Sequence, residues 1–260
     1  MTRSAHDRTH LVIADDLSGV ASHAADLFVR LSRSADLAGG RFAVALSGGS
    51  TPRALHALLS APPYYDAVHW PAVELYWGDD RCVPPDDPES NYRMARETLL
   101  EALLARGAIR DEQIHRMHTE LPPDQVAEAY ERELRHAFTL AEGHLPRFDL
   151  LFLGMGPDGH TLSLFPHTTA LTVTDRLVTA NYVSKLSSNR VTLTYPVANN
   201  AAAVAFLVAG ADKAEALARV LDGPRNPEEF PAQFIAPTDG DLYWLVDRAA
   251  AAQVQRGATG

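Results

Sequence analysis

The sequence is poor in cysteine and in long apolar segments. Of its 260 residues one is cysteine, Cys82, which excludes an internal disulfide and a zinc site built on cysteines. No apolar run approaches the roughly 18 residues that a membrane-spanning helix needs. The first ten residues contain no apolar segment of the kind that a secretory signal requires. We therefore expect a cytoplasmic protein, in a reducing compartment, that has no membrane partner.

Positive charge is also scarce, since 23 Lys and Arg residues stand against 33 Asp and Glu residues and give a formal net charge of −10. So acidic a chain binds polyanions poorly, and nucleic acid is not expected as a partner. A small anionic ligand is still compatible, because a local pocket can be positive inside an acidic protein. Any lysine chemistry rests on Lys185 or Lys213, the two lysines of the chain. For Lys213, capping of a strand–helix junction and anion binding both stay open.

Strand-like and helix-like segments alternate along the chain, which is typical of an α/β fold with a mostly parallel sheet. The predicted strands lie at 11–14, 41–46, 73–77, 150–153, 177–182, 191–194, 203–208 and 242–246. The predicted helices lie at 17–31, 52–59, 91–104, 126–141 and 212–221, with a short alanine-rich helix at the end. The segment 222–240, rich in proline and glycine, is predicted to be a surface loop. We expect a single α/β domain over residues 11–256 after a flexible N-terminus of residues 1–10.

Three polar, glycine-containing turns follow three of the predicted strands. In an open parallel sheet all carboxyl ends of the strands share one edge, and ligands bind in the crevice there. The turns therefore predict one binding site before any family is considered. They are residues 47–52 (SGGSTP), 78–81 (GDDR) and 154–160 (GMGPDGH).

The first turn is suited to a phosphate group. Gly48 and Gly49 let the backbone come close to a ligand, and the following helix presents free N–H groups and the positive end of its dipole. Ser47, Ser50 and Thr51 add hydroxyl donors. The turn is not a P-loop, because no Lys-Ser or Lys-Thr pair follows it. An ordinary Ser/Gly turn that caps a helix stays open as the alternative.

The second turn places Asp79 and Asp80 beside Arg81. An arginine at a strand end either pairs with a carboxylate or forms a two-pronged clamp on substrate oxygen atoms, and both interpretations stay open. Lys185 and Arg190 lie further along the chain, just before a later predicted strand. They are either solvated surface charges or the counter-charges of a bound phosphate.

The third turn contains His160, with Asp158 two residues before it. An imidazole with a pKa of about 6.5 is a natural general base near neutral pH, and the carboxylate either orients it or caps the turn. Gly154, Gly156 and Gly159 also satisfy the G-x-G-x-x-G pattern of dinucleotide-binding folds. That pattern needs a long helix directly after it, and here only residues 161–165 are available between His160 and Pro166. We therefore expect no nicotinamide or flavin cofactor.

Taken together, these motifs resemble the glucosamine-6-phosphate isomerase/6-phosphogluconolactonase family, and within it the lactonases. The agreement of several separated motifs is far more specific than any one of them. The matching stretches cover essentially the whole chain in order and are ALSGGSTPRAL (45–55), WGDDRCVPPDDPESNYRMA (77–95), FDLLFLGMGPDGHTLSLFP (148–166), NRVTLTYPVANNA (189–201), GADKAEAL (210–217) and the closing PAQFIAP and LYWLVDRAAA.

The resemblance implies a Rossmann-like three-layer α/β/α fold with a mostly parallel sheet, of the glucosamine-6-phosphate deaminase/ribose-5-phosphate isomerase/CoA-transferase type. It also implies hydrolysis of 6-phospho-D-glucono-1,5-lactone to 6-phosphogluconate, the second step of the oxidative pentose phosphate pathway, without a cofactor or an obligatory metal. The residues predict no metal site either, because His115 and His118 have no third ligand in view. We expect a monomer or a weak homo-oligomer.

By the same resemblance, His160 is the base that activates water, and Arg81 lies beside the lactone. The candidate catalytic residues are His160, Asp158, Arg81 and Asp79. The candidate phosphate-binding residues are Ser47, Gly48, Gly49, Ser50, Thr51, Arg190 and Lys185.

The sequence departs from the family pattern at three positions. The family usually has Asp-Glu-Arg where this chain has Asp79-Asp80-Arg81, so the middle carboxylate is one methylene shorter. It usually has Ala and Gly where this chain has Leu162 and His167, and we expect local repacking there.

Two other functions stay open. Glucosamine-6-phosphate deaminase/isomerase shares the fold, but it usually has Tyr where Arg81 stands and Ile-Ala-Phe-Asn after the glycine turn, which favours the lactonase. A non-catalytic sugar-phosphate sensor of this fold is normally joined to a DNA-binding helix-turn-helix, for which we expect no room before the first strand. A purely structural protein is disfavoured, because three polar strand-end turns would then have no role.

Overall fold

A wholly parallel sheet of seven strands forms the centre of the structure, a computed structural model that describes residues 8–255. The strands are β1 (Thr9–Ala14), β2 (Phe42–Leu46), β3 (Val73–Trp77), β4 (Asp79–Arg81), β5 (Ile114–His115), β6 (Leu150–Leu153), β7 (Val178–Val183), β8 (Ser188–Leu193), β9 (Ala203–Val208) and β10 (Asp241–Asp247). The central sheet has the order β1-β10-β9-β6-β2-β3-β5, and a second, antiparallel sheet has the order β4-β8-β7.

The helices cover both faces of the central sheet. They are α1 (Leu17–Leu37), α2 (Ser50–Leu59), α3 (Tyr64–Ala67), α4 (Asn91–Ala95), α5 (Glu101–Ala105), α6 (Pro123–Ala137), α7 (Tyr195–Asn199) and α8 (Ala214–Asp222). A π-helical turn, Arg96–Leu100, joins α4 to α5. Short 3-10 helices lie at Trp70–Ala72, Asp111–Gln113, Thr169–Thr172, Ser184–Leu186, Ala211–Lys213, Pro231–Phe234 and Ala250–Gln253. None of the described helices is long and apolar enough to cross a membrane.

Successive residues of the central strands face opposite sides of the sheet. In β2, Phe42, Val44 and Leu46 belong to the hydrophobic cluster that includes α1 and α2, whereas Ala43 and Ala45 belong to the cluster that includes α6 and α8. The strands β6 and β9 alternate between the same two clusters. A strand buried on both faces must be apolar throughout, which is why these segments are continuous hydrophobic runs. The predicted three-layer α/β/α fold with a mostly parallel sheet is confirmed.

The structure contains every predicted strand, with small shifts at the ends. The first strand begins at Thr9, so Thr9 and His10, which were predicted to belong to the flexible N-terminus, pair with β10 instead. Residues 1–7 of that segment and residue 256 of the predicted domain lie outside the described residues. That the chain is one domain stays a prediction.

The small antiparallel sheet corrects two predictions. Residues 79–81, predicted as part of a turn, form β4 and pair with β8. The strand β8 begins at Ser188, so Arg190 lies inside it and not before it. Polar residues such as Asp-Asp-Arg carry no apolar periodicity, and a strand of this length is specified by its backbone pairing alone. The two-residue strand β5 was missed for the same reason.

Candidate functional site

A pocket of about 280 Å³ lies at the carboxyl edge of the parallel sheet. Residues from the turns after β2, β3, β6 and β9 contribute to its lining, and β8 adds a residue from the small sheet. The predicted site residues that line it are Ser47, Gly48, Gly49, Ser50, Thr51, Asp79, Arg81, His160 and Arg190. Two predicted residues, Asp158 and Lys185, lie outside the lining. The structure thus brings the three predicted turns together.

The turn after β2 presents the start of α2 to the pocket. Gly49 precedes the helix with a φ of 110°, in the range that favours glycine. The first intrahelical bond runs from the Arg53 N–H to the Gly49 carbonyl, so the N–H groups of Ser50 and Thr51 have no partner within the helix. The helix begins at Ser50, two residues before the predicted Pro52. Free N–H groups and a helix dipole at a pocket are suited to an anion.

Two arginines contribute positive charge to the pocket. The Nη1 atom of Arg81 donates to the Asn91 side-chain oxygen and to the Glu89 carbonyl, each at 2.6 Å. The Nε atom of Arg190 donates to the Ser188 hydroxyl at 3.2 Å. Neither guanidinium forms an ion pair with a carboxylate of residues 8–255. Burial lowers the pKa of Arg190, and the positive charge of Arg81 lowers it further.

Asp79 and Asp80 have different surroundings. Asp79 lines the pocket, and its Oδ2 atom accepts a hydrogen bond from the Ser163 hydroxyl at 2.6 Å. Asp80 lies outside the pocket, and its carboxylate accepts from the backbone N–H groups of Arg81, Asn91 and Tyr92 at 2.7–3.0 Å.

Burial raises the pKa of Asp80 to about 6, although the three backbone hydrogen bonds oppose the shift. The side chain that departs from the usual Asp-Glu-Arg pattern therefore anchors the start of α4 and does not reach the pocket.

His160 is held by three neighbours in the turn after β6. Its Nδ1 atom lies 2.5 Å from the Asp158 Oδ1 atom, and its ring stacks on Phe165 with 4.0 Å between ring centres. A Cβ atom at Gly156 would lie 2.0 Å from the same Nδ1, so only glycine leaves room for the ring. The same Asp158 oxygen also accepts from the His160 backbone N–H at 3.2 Å, so its contacts fit both predicted alternatives, orientation of the imidazole and capping of the turn.

Burial lowers the pKa of His160 to about 4. The negative charge of Asp79 raises this pKa, whereas the positive charges of Arg190, Lys213 and Arg81 lower it further. The ring is therefore neutral at neutral pH. Since a neutral ring carries one proton and Nδ1 faces a carboxylate, we assign the proton to Nδ1. The Nε2 atom then has a free lone pair and no hydrogen-bond partner within the described part of the chain.

The two lysines lie in different places relative to the pocket. The Nζ atom of Lys185 pairs with the Asp158 Oδ2 atom and lies 4.9 Å from the centre of the Phe165 ring. Lys185 was predicted as a counter-charge of the phosphate; it lies outside the pocket lining, with its charge directed to the Asp158 carboxylate, and that role stays a prediction. Lys213 does line the pocket, from the turn after β9, and it pairs with Asp212 at 2.7 Å. The sequence left the role of Lys213 open, but its position after the strand β9 was a signal that it lies at the same edge of the sheet as the three turns.

The glycine pattern of the third turn leads into no helix. Residues 161–165 form a tight turn with a single bridge between Thr161 and Leu164. The two departures from the family pattern near this turn, Leu162 and His167, both adopt left-handed backbone conformations, with φ of 54° and 59°. Leu162 also lines the pocket, and a Cβ atom added at Gly78 would lie 2.7 Å from it.

The described residues contain no group of three histidine, cysteine or acidic side chains arranged for a metal ion. His115 lies in β5 between Glu74 and Glu133, at 2.9 and 2.8 Å, and is not part of the pocket. The pocket therefore offers hydrogen-bond donors, cations, the Asp79 carboxylate and one neutral imidazole as its chemical groups.

The chain is similar to known 6-phosphogluconolactonases over most of its length. Residues 15–244 match the family described as glucosamine-6-phosphate isomerases/6-phosphogluconolactonase. A 6-phosphogluconolactonase from Synechocystis sp. is 45% identical over 212 residues, which are 81% of this chain and 84% of that protein. One from Nostoc sp. is 41% identical over 243 residues, with 93% and 97% covered. The solved structure of the Trypanosoma brucei 6-phosphogluconolactonase superimposes with a TM-score of 0.82 at 26% identity, covering 95% of this chain and 99% of that one.

Proposed function

The chain belongs to the glucosamine-6-phosphate isomerase/6-phosphogluconolactonase family, and from this membership we propose that it hydrolyses 6-phospho-D-glucono-1,5-lactone to 6-phosphogluconate. This reaction is the second step of the oxidative pentose phosphate pathway. The observation that carries the proposal is the neutral, Asp158-oriented His160 in the same pocket as two arginines without carboxylate partners among residues 8–255. A lactone phosphate needs both features, a base for water and positive charge for its anionic groups.

The phosphate of the substrate binds at the turn after β2. Its oxygen atoms accept from the free N–H groups of Ser50 and Thr51 and from the hydroxyls of residues 47–51, while Arg190 and Lys213 supply counter-charge. This binding energy is remote from the reacting carbon and serves to orient it.

Hydrolysis proceeds through attack of water on C1 of the lactone. The Nε2 atom of His160 takes a proton from the water as its oxygen bonds to C1, and the carbonyl electrons move onto the carbonyl oxygen. Arg81 stabilises that oxyanion. When the carbonyl re-forms, the bond from C1 to the ring oxygen breaks, and the His160 imidazolium returns the proton to the ring oxygen. The products are a carboxylic acid, which ionises in water, and a free hydroxyl.

The carboxylates support the charge that appears on His160 during the reaction. Asp158 accepts from Nδ1 and holds the ring plane, and Asp79 in the pocket favours the protonated imidazole. The reacting enzyme is proposed to work in the cytoplasm, as a monomer or a weak homo-oligomer, without a cofactor.

The first experiment measures lactone hydrolysis by the wild-type protein and by His160→Ala, with 6-phosphogluconolactone generated in situ and spontaneous hydrolysis subtracted. We expect the variant to lose about 100-fold or more in kcat, because it lacks the base. His118→Ala is the matched control, since His118 is half exposed, pairs with Glu120 and lies outside the pocket lining, and it should keep full activity.

Release of ammonia from glucosamine 6-phosphate is assayed in parallel. Wild-type kcat in His160→Ala would exclude His160 as the base. Ammonia release without lactone turnover would assign the deaminase reaction, and sugar-phosphate binding with neither reaction would assign a sensor.

A further inference from the structure

Asn91 is a buried side chain that contacts two of the three turns of the pocket. It is the first residue of α4, and only 3% of its surface is exposed. Its Nδ2 atom donates to the Asp79 carbonyl at 3.0 Å, and its Oδ1 atom accepts from Arg81 Nη1 at 2.6 Å. A Cβ atom at Gly48 would lie 1.9 Å from the same Oδ1, so the amide also fills the space beside the first turn.

The two hydrogen bonds fix the orientation of the amide. Nδ2 can only donate and Oδ1 can only accept, so the carbonyl of Asp79 and the guanidinium of Arg81 each select one end of the group. Asp80 holds the backbone of Asn91 in place through a 2.7 Å bond to its N–H. The amide therefore has one position, determined by Asp79 and Arg81 of β4 on one side and by the start of α4 on the other.

The position of Arg81 depends on this amide. The side-chain hydrogen bonds of Arg81 within residues 8–255 both use Nη1, which is shared between Asn91 and the carbonyl of Glu89. The Nε and Nη2 atoms have no hydrogen-bond partner in residues 8–255, and the residue lines the pocket. Glu89 is exposed and precedes the helix, whereas Asn91 is buried, so Asn91 is the rigid one of the two supports.

We propose that Asn91 is a positioning residue that holds Arg81 so that its unused nitrogens face the reacting end of the substrate, in contact with the turn that takes the phosphate. This proposal rests on the proposed lactone hydrolysis. Asn91 acts through Arg81, because its own polar atoms are both used within the protein. An aspartate could not donate to the Asp79 carbonyl, and serine is too short to reach both partners, so asparagine is specified by chemistry and by length.

The test is a double-mutant cycle between Asn91→Ala and Arg81→Met, read in kcat and KM for 6-phosphogluconolactone. With Arg81 present, we expect Asn91→Ala to lower kcat by about 10- to 100-fold, since a misplaced catalytic group costs that much, and to change KM by less than about threefold. With Arg81→Met already in place, the same change should lower kcat by less than about twofold, because its only route of action is gone. Equal losses in the two backgrounds, or no loss in either, would overturn the proposal.

Asn91→Ser is carried through the same cycle, so that a folding defect of the alanine variant does not end the test. Thermal unfolding of each variant separates folding from positioning: a purely structural role lowers Tm and kcat in both backgrounds alike, and that result would also refute the proposal.

A second double-mutant cycle tests the contact between Gly48 and the Asn91 amide by thermal unfolding, without an activity measurement. Gly48→Ala places its Cβ against the Asn91 amide, and we expect a loss of about 5 °C or more in Tm. In the Asn91→Ala background the space is open, and the loss should fall to about 2 °C or less. Equal losses would show that the amide does not occupy this position. If the wild-type protein lacks lactone turnover, the proposed function fails while this second cycle still reports on the geometry.

Discussion

Arg81 and Arg190 stand directly opposite each other on the antiparallel strands β4 and β8, and both line the pocket. Like charges at opposed positions of an antiparallel pair destabilise it. Neither residue has a carboxylate partner within residues 8–255 that would relieve the repulsion. The small sheet therefore holds two cations close together, and an anion that binds between them relieves the repulsion.

Inorganic phosphate should therefore stabilise the protein, and Arg190→Met should reduce that effect. At 100 times its Kd a ligand that binds only the native state adds about 2.7 kcal/mol to the free energy of unfolding. Without phosphate and at low salt, the variant should be as stable as the wild type or more stable by about 0.5 kcal/mol, because the repulsion is gone. Urea unfolding with and without phosphate measures both quantities. Arg132→Met, on the exposed side of α6, is the control; an undiminished phosphate effect in Arg190→Met would contradict the prediction.

The two lysines should act on different quantities. Lys185 is half exposed and pairs with Asp158, so Lys185→Met should lower kcat by about fivefold, the equivalent of an ion pair worth about 1 kcal/mol. It should leave the Kd for inorganic phosphate unchanged, whereas Lys213→Met should weaken phosphate binding, because Lys213 lines the pocket. Kinetics together with calorimetric titration of phosphate distinguish the two. A weaker phosphate affinity in Lys185→Met would instead support its predicted role as a phosphate ligand.

His167→Gly should stabilise the protein. His167 has a φ of 59°, and an L-residue in that conformation costs about 1–2 kcal/mol, part of which glycine returns as greater freedom of the unfolded chain. Its pair with Glu229 is solvent-exposed and contributes little. We expect a net gain of about 0.5–1 kcal/mol in the free energy of unfolding. His144→Gly, an exposed histidine outside the left-handed region, should lose stability by a similar amount. A loss in both variants would show that the backbone at residue 167 is unstrained.

The stability of the protein should fall as the pH rises from about 6.5 to about 9. The pKa of His115 is the cause. Burial alone lowers this pKa, but hydrogen bonds to Glu133 and Glu74 outweigh burial and raise the pKa to about 9 from its ordinary 6.5. A group with a higher pKa in the folded state binds its proton more tightly there, so its contribution is complete below pH 6.5 and is lost as the pH passes 9. We expect about 2 kcal/mol between these limits.

Urea midpoints at pH 6 and pH 9.5 measure this loss. His115→Gln should remove most of the pH dependence in that window, and His118→Gln, which alters a half-exposed histidine three residues away, should retain it. An unchanged pH dependence in His115→Gln would assign it to other groups.

The sequence was sufficient for the parts of the molecule that hydrophobic burial determines. Strands such as β2 and β9 are apolar on both faces, and the turns that follow them could be placed on one edge by the rule for parallel sheets. His160 and the turn at residues 47–51 were identified in this way. Lys185 lies outside the pocket lining although the sequence placed it beside Arg190, because proximity in sequence does not fix the direction of a side chain.

The missed features are those that depend on pairing between distant segments. The strand β4 consists of Asp79, Asp80 and Arg81, and only its backbone bonds to β8 make it a strand. Asn91 carries no signal of its own, since its importance comes from Arg81 and Asp79, which reach it only after folding. Without the register between β4 and β8, the sequence also gives no indication that Arg81 faces Arg190.

Gly156 leaves room for the imidazole of His160, because a Cβ atom there would lie 2.0 Å from its Nδ1. Selection for activity therefore acts on the two positions jointly. A library that randomises residue 156 should return only glycine among active clones, while one selected for folding alone should accept alanine when residue 160 is also small. The epistasis between the two positions disappears together with the histidine, so a lineage that abandoned the reaction would be free to lose this glycine.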